Sequence, residues 1–150
     1  MKKLVNNELL LDCADEMLKE GHSVTIRVAG YSMRPILEHR RDDVTLVKPD
    51  LDALSLYDVV LFKLNGRYIM HRIIAIDGDR LTLMGDGNLQ GCESCTKADV
   101  VGIATKFKRK GKEIDCQSAG FRRYGKVWNA LRPIRRWLLY AYRIKLKLIP

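Results

Sequence analysis

The last thirty residues of the chain contain no acid, yet they hold nine Lys or Arg. Residues 1–120 carry 18 Lys/Arg and 18 Asp/Glu, which cancel. The net charge of +9 is therefore a property of the tail, and a basic partner surface has to be sought there. No stretch reaches the roughly 18 uninterrupted apolar residues that a membrane span requires. No apolar core follows Met1-Lys2-Lys3 either, because Asn6, Asn7, Glu8, Asp12, Asp15 and Glu16 come at once. A secretory signal is thus not expected, and the cytoplasm is the expected compartment. A second C-x-x-C is missing as well. Cys92 and Cys95 form the one such pair, with Cys13 and Cys116 isolated, whereas a structural zinc site wants four ligands. Reduced thiols and no metal are expected. Residues 1–22, ahead of the first strand signal, are too few for a helix-turn-helix domain. Internal repeats and low-complexity linkers are absent.

What is present reads as one folded unit: 150 residues, 47% hydrophobic and 30% charged, suffice for a real core. Residues 7–20 form an amphipathic pattern, with Asn7 as a cap, Glu8 in the first turn, Gly21 as a stop, and Leu9, Leu10, Cys13, Met17 and Leu18 near one face. From Ser23 the period changes to two: Val24, Ile26 and Val28 alternate with Thr25 and Arg27. Strands are expected over 44–48, 58–64, 67–76, 80–84 and 100–107, with turns at Asn65-Gly66 and Asp77-Gly78-Asp79. The pattern is mainly β: an antiparallel sandwich or partly closed barrel over 23–115, with an N-terminal helix over 1–22 and a basic helical tail over 116–150. In that tail Pro133 can open a helix, after which Ile134, Trp137, Leu138, Ala141, Ile144 and Leu148 recur at helical spacing, with Arg135, Arg136, Arg143, Lys145 and Lys147 mostly elsewhere on the wheel.

Three segments can carry chemistry. In Gly30-Tyr31-Ser32-Met33-Arg34-Pro35 a serine follows a strand and a glycine turn, and Pro35 ends any ladder. Such a serine can be exposed beside backbone N–H groups able to hold an oxyanion, although most serines in turns are only turn residues. In Tyr68-Ile69-Met70-His71-Arg72-Ile73-Ile74 a histidine sits in an apolar strand; facing Ser32, it could act as a general base, and otherwise it is a half-buried structural residue. Gly85-Asp86-Gly87-Asn88 reads as a type I′-like turn.

In this order, S-M-x-P at Ser32–Pro35, H-R-[IV] at His71–Ile73 and G-D-x-N at Gly85–Asn88 resemble the signal peptidase I superfamily, which includes LexA-like self-cleaving repressors. The resemblance runs from about Val28 to Phe107, and Asp58-Val59-Val60 and Val101-Gly102 match its D-V-V and V-G strands. It implies the mainly β signal-peptidase/LexA fold and a serine endopeptidase acting on a peptide or protein, such as a leader or precursor, without a cofactor. Ser32 would be the nucleophile and its N–H the oxyanion donor. His71, where other branches carry lysine, would be the base, as in the His-type, archaeal and eukaryotic-like branch. Lys63 reads as a strand-surface residue. The His branch has an aspartate shortly after its G-D-x-N turn, but Leu89-Gln90-Gly91-Cys92-Glu93-Ser94 has none. Asp86 or Glu93 could orient His71, or the site could be a Ser/His dyad. Gly30 stands where many members place an oxyanion serine, and the family's N-terminal span is not evident. The runner-up is a catalytically silent binding module of the same fold. The tail 121–150 is either a helix packed on the domain or an anchor on an anionic membrane surface. Nucleic acid is not the expected partner, given the apolar face around Trp137 and Ile144.

Overall fold

A computed structural model describes residues 7–148 of the chain. The amino-terminal run read for a signal segment, and the side-chain roles expected of Asn7, Glu8 and Leu148, fall outside the described residues. The elements are α1 (Asn7–Lys19), β1 (Val24–Arg27), β2 (Asp43–Val47), β3 (Val59–Leu64), β4 (Arg67–Asp77), β5 (Arg80–Met84), β6 (Glu93–Thr96), β7 (Val100–Arg109), β8 (Lys112–Asp115), α2 (Ala119–Ala130) and α3 (Arg135–Leu148). All strand pairings are antiparallel. The sheet runs β1-β2-β7-β3-β4-β5-β6, with β8 also on β7, and it does not close into a barrel.

The centre of the sheet is β3, whose run Val59–Phe62 is buried on both faces. Alternation sends Val59 and Leu61 into a cluster with Leu18, Val44, Leu46 and Phe107. Val60 and Phe62 enter a second cluster with Ile73, Leu81 and Leu83. A continuous apolar run marks a strand covered on both sides, and each such side chain stabilises the fold by roughly 1.5–3 kcal/mol. Helix α1 covers the first cluster through Leu11 and Leu18, and the Tyr68 hydroxyl of β4 donates to Asp12 (2.6 Å) or Asp15 (3.0 Å).

Two strand edges lie open. β1 pairs only with β2. β4 pairs with β3 over Arg67–Arg72, but its pairing with β5 starts at Arg72 opposite Met84, which leaves one edge of Arg67–His71 unpaired. A cleft of about 390 Å³ lies between them, lined by Ile26 and Val28 from the β1 side, Met33 and Leu61 below, and Tyr68 and Met70 from β4.

Two strands, β6 and β8, were not evident from the sequence, and the expected helical tail over 116–150 is divided, with α2 as a separate first helix. β6 is polar and contains half of the C-x-x-C pair. In β8 three of four residues are charged, and β7 recruits it across the Lys110-Gly111 turn. α2 is capped by Ser118, whose hydroxyl accepts from the Phe121 N–H (3.1 Å), but Gly120 and Gly125 break its helical pattern. Gly125 is there for space: a Cβ would lie 2.7 Å from Arg72 Nη1 and 2.8 Å from Tyr57 Cβ. The tail is therefore two helices joined by a 3-10 turn at Arg132–Ile134. Their inner faces bury Phe121, Trp128, Arg135 and Leu139. The stripe read as the apolar face points the other way: Ile134, Trp137 and Ile144 are exposed, while Leu138 is half-buried.

Candidate active site

Ser32 stands on a loop after β1 that is pinned at several points. Met33 and Leu37 plunge into the first cluster. The Gly30 N–H donates to His39 Nδ1 (2.7 Å), and Arg34 grips Glu38 with two bonds of 2.9 Å. Asp42, fully buried, accepts from the Glu38 N–H (2.7 Å), the Lys110 N–H (3.0 Å) and Arg41 (2.8 Å). Burial would raise the Asp42 carboxyl, but the Arg41 hydrogen bond and the two backbone N–H groups outweigh it and hold the group below its ordinary value. Glu38 is likewise held low by Arg34 and Tyr142 against the opposing effect of burial. Half-buried Ser32 thus lines a cleft whose walls are fixed, and its N–H donates to no acceptor among the described residues.

The Gly85–Asn88 turn packs directly on this loop. The Gly87 N–H donates to the Ser32 carbonyl (2.8 Å). A Cβ on Gly85 would lie 2.4 Å from that carbonyl, 2.9 Å from His71 Nε2 and 3.0 Å from Asn88 Nδ2; one on Gly87 would lie 2.5 Å from the Tyr31 carbonyl. Neither glycine has a positive φ, so the expected type I′-like turn is not formed. The glycines are required by close approach instead. The Ser32 main chain and the His71 imidazole therefore converge on one point. The Ser32 hydroxyl makes no direct hydrogen bond to Nε2 among the described residues.

His71 is buried on β4, edge-on to Phe62. Its Nδ1 lies 2.5 Å from Glu93 Oε1. A carboxylate can only accept, so in this pair Nδ1 is the donor, and Nε2 has no hydrogen-bond partner among the described residues. Glu93 reaches this position because β6 pairs with β5, setting Glu93 opposite Leu83.

Asp86, the other expected partner of His71, is directed elsewhere. Its two oxygens take Arg72 Nε (2.8 Å) and Nη2 (2.7 Å) in a bidentate pair, with side chains 1% and 2% exposed. The reason is the strand period: successive residues face opposite sides of β4, so His71 and Arg72 meet different carboxylates. Arg72 also donates to the Tyr57 carbonyl (3.0 Å) and lies over the rings of Phe121 and Tyr124.

The tail helices close over this turn, as one of the two expectations for the tail had it, but through contacts the sequence did not indicate. Trp128 Nε1 donates to the Asp86 carbonyl (2.8 Å). Buried Arg135 stacks on Trp128 and donates to the carbonyls of Asn88 (3.0 Å) and Trp128 (3.1 Å). Burial, the larger effect, lowers the Arg135 pKa. Tyr142 donates to Glu38 (3.0 Å), reaching the Ser32 loop from α3. No local pattern announces these contacts, since Arg135 and Trp128 look like ordinary members of a basic helix. Lys63 is exposed on β3, over the Tyr68 ring. Cys13 and Cys92 are exposed and Cys95 and Cys116 buried, all unbonded.

The scan against protein-family models finds no match, and the search of the curated proteins finds none either.

Proposed function

We propose that the chain is a serine endopeptidase in which Ser32 attacks, His71 is the base and Glu93 orients it. The observation that carries this reading is the convergence of His71 Nε2 with the Ser32 main chain over Gly85, while Glu93 occupies Nδ1. In the proposed reaction Nε2 takes the Ser32 hydroxyl proton as Oγ adds to the scissile carbonyl. The Ser32 N–H donates to the resulting oxyanion, and the protonated imidazole is stabilised by Glu93. Nε2–H then protonates the leaving amine, and water, activated by the same nitrogen, releases the acyl group from Oγ.

The substrate fits as an extended strand. The open edges of β1 and β4 offer main-chain partners on either side of the cleft, and Ile26, Val28, Met33 and Met70 offer an apolar floor. The resemblance of the Ser32, His71 and Gly85–Asn88 motifs to the signal peptidase I superfamily supports the same reading. The missing direct bond from Oγ to Nε2 favours the second reading, a silent peptide-binding module, although such bonds are often loose before substrate binds.

Cleavage of a mixed peptide library, read by mass spectrometry, separates the two. Wild type is expected to cut, Ser32→Ala to give no cuts, and His71→Ala to lose roughly 10²–10⁴-fold. Identical product patterns from all three proteins contradict the peptidase reading.

A further inference from the structure

Helix α3 is apolar on two opposite sides. The side toward the protein carries buried Leu139 with half-buried Leu138, Tyr142 and Leu146. The side facing away carries Trp137, Tyr140 and Ile144, which are 67%, 55% and 40% exposed. Their i, i+3, i+7 spacing puts them on one stripe. Ile134 (47% exposed) and Val127 of α2 (50%) add to the exposed apolar surface of the two helices. Leu89 extends it further, because Leu89 and Gln90 share a hollow of about 310 Å³ with Arg132, Pro133, Arg136 and Trp137. A helix with only solvent on its outer side has no reason to present a tryptophan, a tyrosine and an isoleucine there.

Charge borders this stripe without crossing it. Arg136, Arg143 and Lys147 are exposed along one flank, with Arg143 over the Tyr140 ring. On the other flank exposed Lys145 meets Arg41, Arg109 and Lys110 around a hollow of about 500 Å³ whose one acid, Glu38, is already bound to Arg34 and Tyr142. Repulsion from Arg109 and Arg41 lowers the Lys110 pKa, although Arg41 itself is paired with Asp42. No acid lies anywhere in residues 121–150.

We propose that the outer face of α2 and α3 is a docking surface for an anionic lipid bilayer, against which the helices lie flat. An aromatic and aliphatic centre with basic margins matches the bilayer interface: rings settle at headgroup level and Lys and Arg extend to the phosphates. Nucleic acid asks for the reverse, charge along the centre of the contact. No described helix is long and apolar enough to cross a membrane, so the surface lies on the bilayer rather than in it. The loop carrying Leu89 begins at the turn that packs on Ser32, so docking holds the cleft close to the lipid surface. This inference does not depend on catalysis.

Flotation of the full chain tests it, using vesicles of phosphatidylcholine alone and of phosphatidylcholine with phosphatidylserine. Wild type is expected to float with the anionic vesicles only, with a blue shift of tryptophan emission; Trp128 is already buried, so the shift reports Trp137. Trp137→Ser with Ile144→Ser abolishes the shift and most of the flotation. Arg136→Ser with Arg143→Ser weakens flotation by about 25-fold, at roughly fivefold per basic residue near the surface. All four residues are exposed, so both variants should melt like wild type. The proposal is overturned if wild type stays unbound or shows no blue shift. It is equally overturned if the Trp137/Ile144 variant floats like wild type, or if a DNA duplex binds as tightly as the anionic vesicles and ignores that variant.

Discussion

His71 and Arg72 are neighbours on one strand, each is paired with a carboxylate, and the two pairs are built for different ends. The guanidinium of Arg72 is consumed: Asp86 takes two of its nitrogens, Tyr57 a third, and the pair is sealed under Phe121 and Tyr124. Among the described residues the imidazole of His71 is engaged at one nitrogen only, by a Glu93 whose side chain keeps 27% of its surface exposed. A buried pair with every nitrogen engaged fixes structure; one removed partner leaves a charge in a medium that cannot solvate it. A half-open pair leaves the second ring nitrogen turned toward Gly85, beside the Ser32 carbonyl, where the proposed reaction needs a proton acceptor. Burial and satisfaction, rather than residue type, separate the two roles.

The contrast is broken most severely by Asp86→Ala. Stranding Arg72 should cost about 3–5 kcal/mol, read as a large drop in the urea midpoint. Unchanged stability with lost cleavage would return Asp86 to the His71 group. Gly85→Ala comes next. The added methyl meets backbone, the Ser32 carbonyl at 2.4 Å, and must push the Ser32 loop away from His71. A loss of about 1–3 kcal/mol is expected, with a fall in cleavage rate larger than the stability loss explains. Glu93→Gln is the milder counterpart of Asp86→Ala. Its stability should stay within about 1 kcal/mol of wild type, because the site is half open, while kcat falls roughly 10²–10⁴-fold. Equal melting losses for Asp86→Ala and Glu93→Gln would erase the distinction between the pairs.

Acid acts more gently, on the Ser32 side. Asp42 and Glu38 titrate lower in the folded protein than the ordinary 3.8 and 4.5. Groups with depressed folded values contribute stability that is present above the unfolded value and lost as pH falls through the folded one. Melting temperature should therefore be flat above about pH 5 and decline below about pH 4, and Asp42→Asn should flatten that decline.

Much of this was legible in the chain itself. Alternation over Val24–Val28, the apolar run Val59–Phe62 and the Asn65-Gly66 turn are local signals, and each yields its strand or hairpin. The S-M-x-P and H-R-I segments named Ser32 and His71. The partner of His71 was not legible in the same way. Asp86 is 14 residues from Arg72 and Glu93 is 22 from His71; the β4–β5 pairing sets Met84 opposite Arg72 and so brings up Asp86, while only the β5–β6 pairing, absent from any local pattern, brings Glu93 to His71. The Gly85 and Gly87 positions looked like turn chemistry because close approach leaves no mark in sequence. Periodicity likewise found the Trp137–Ile144 stripe but not its direction, since α3 is apolar on both sides.

The most direct measurement of the central claim needs no substrate. A fluorophosphonate reports an activated serine by covalent addition, located by mass spectrometry of the digested protein. Wild type should carry a single adduct on Ser32, Ser32→Ala none, and His71→Ala an adduct formed at least about 10²-fold more slowly. Wild type that stays unmodified, or a Ser32→Ala protein labelled at the wild-type rate, would contradict the account.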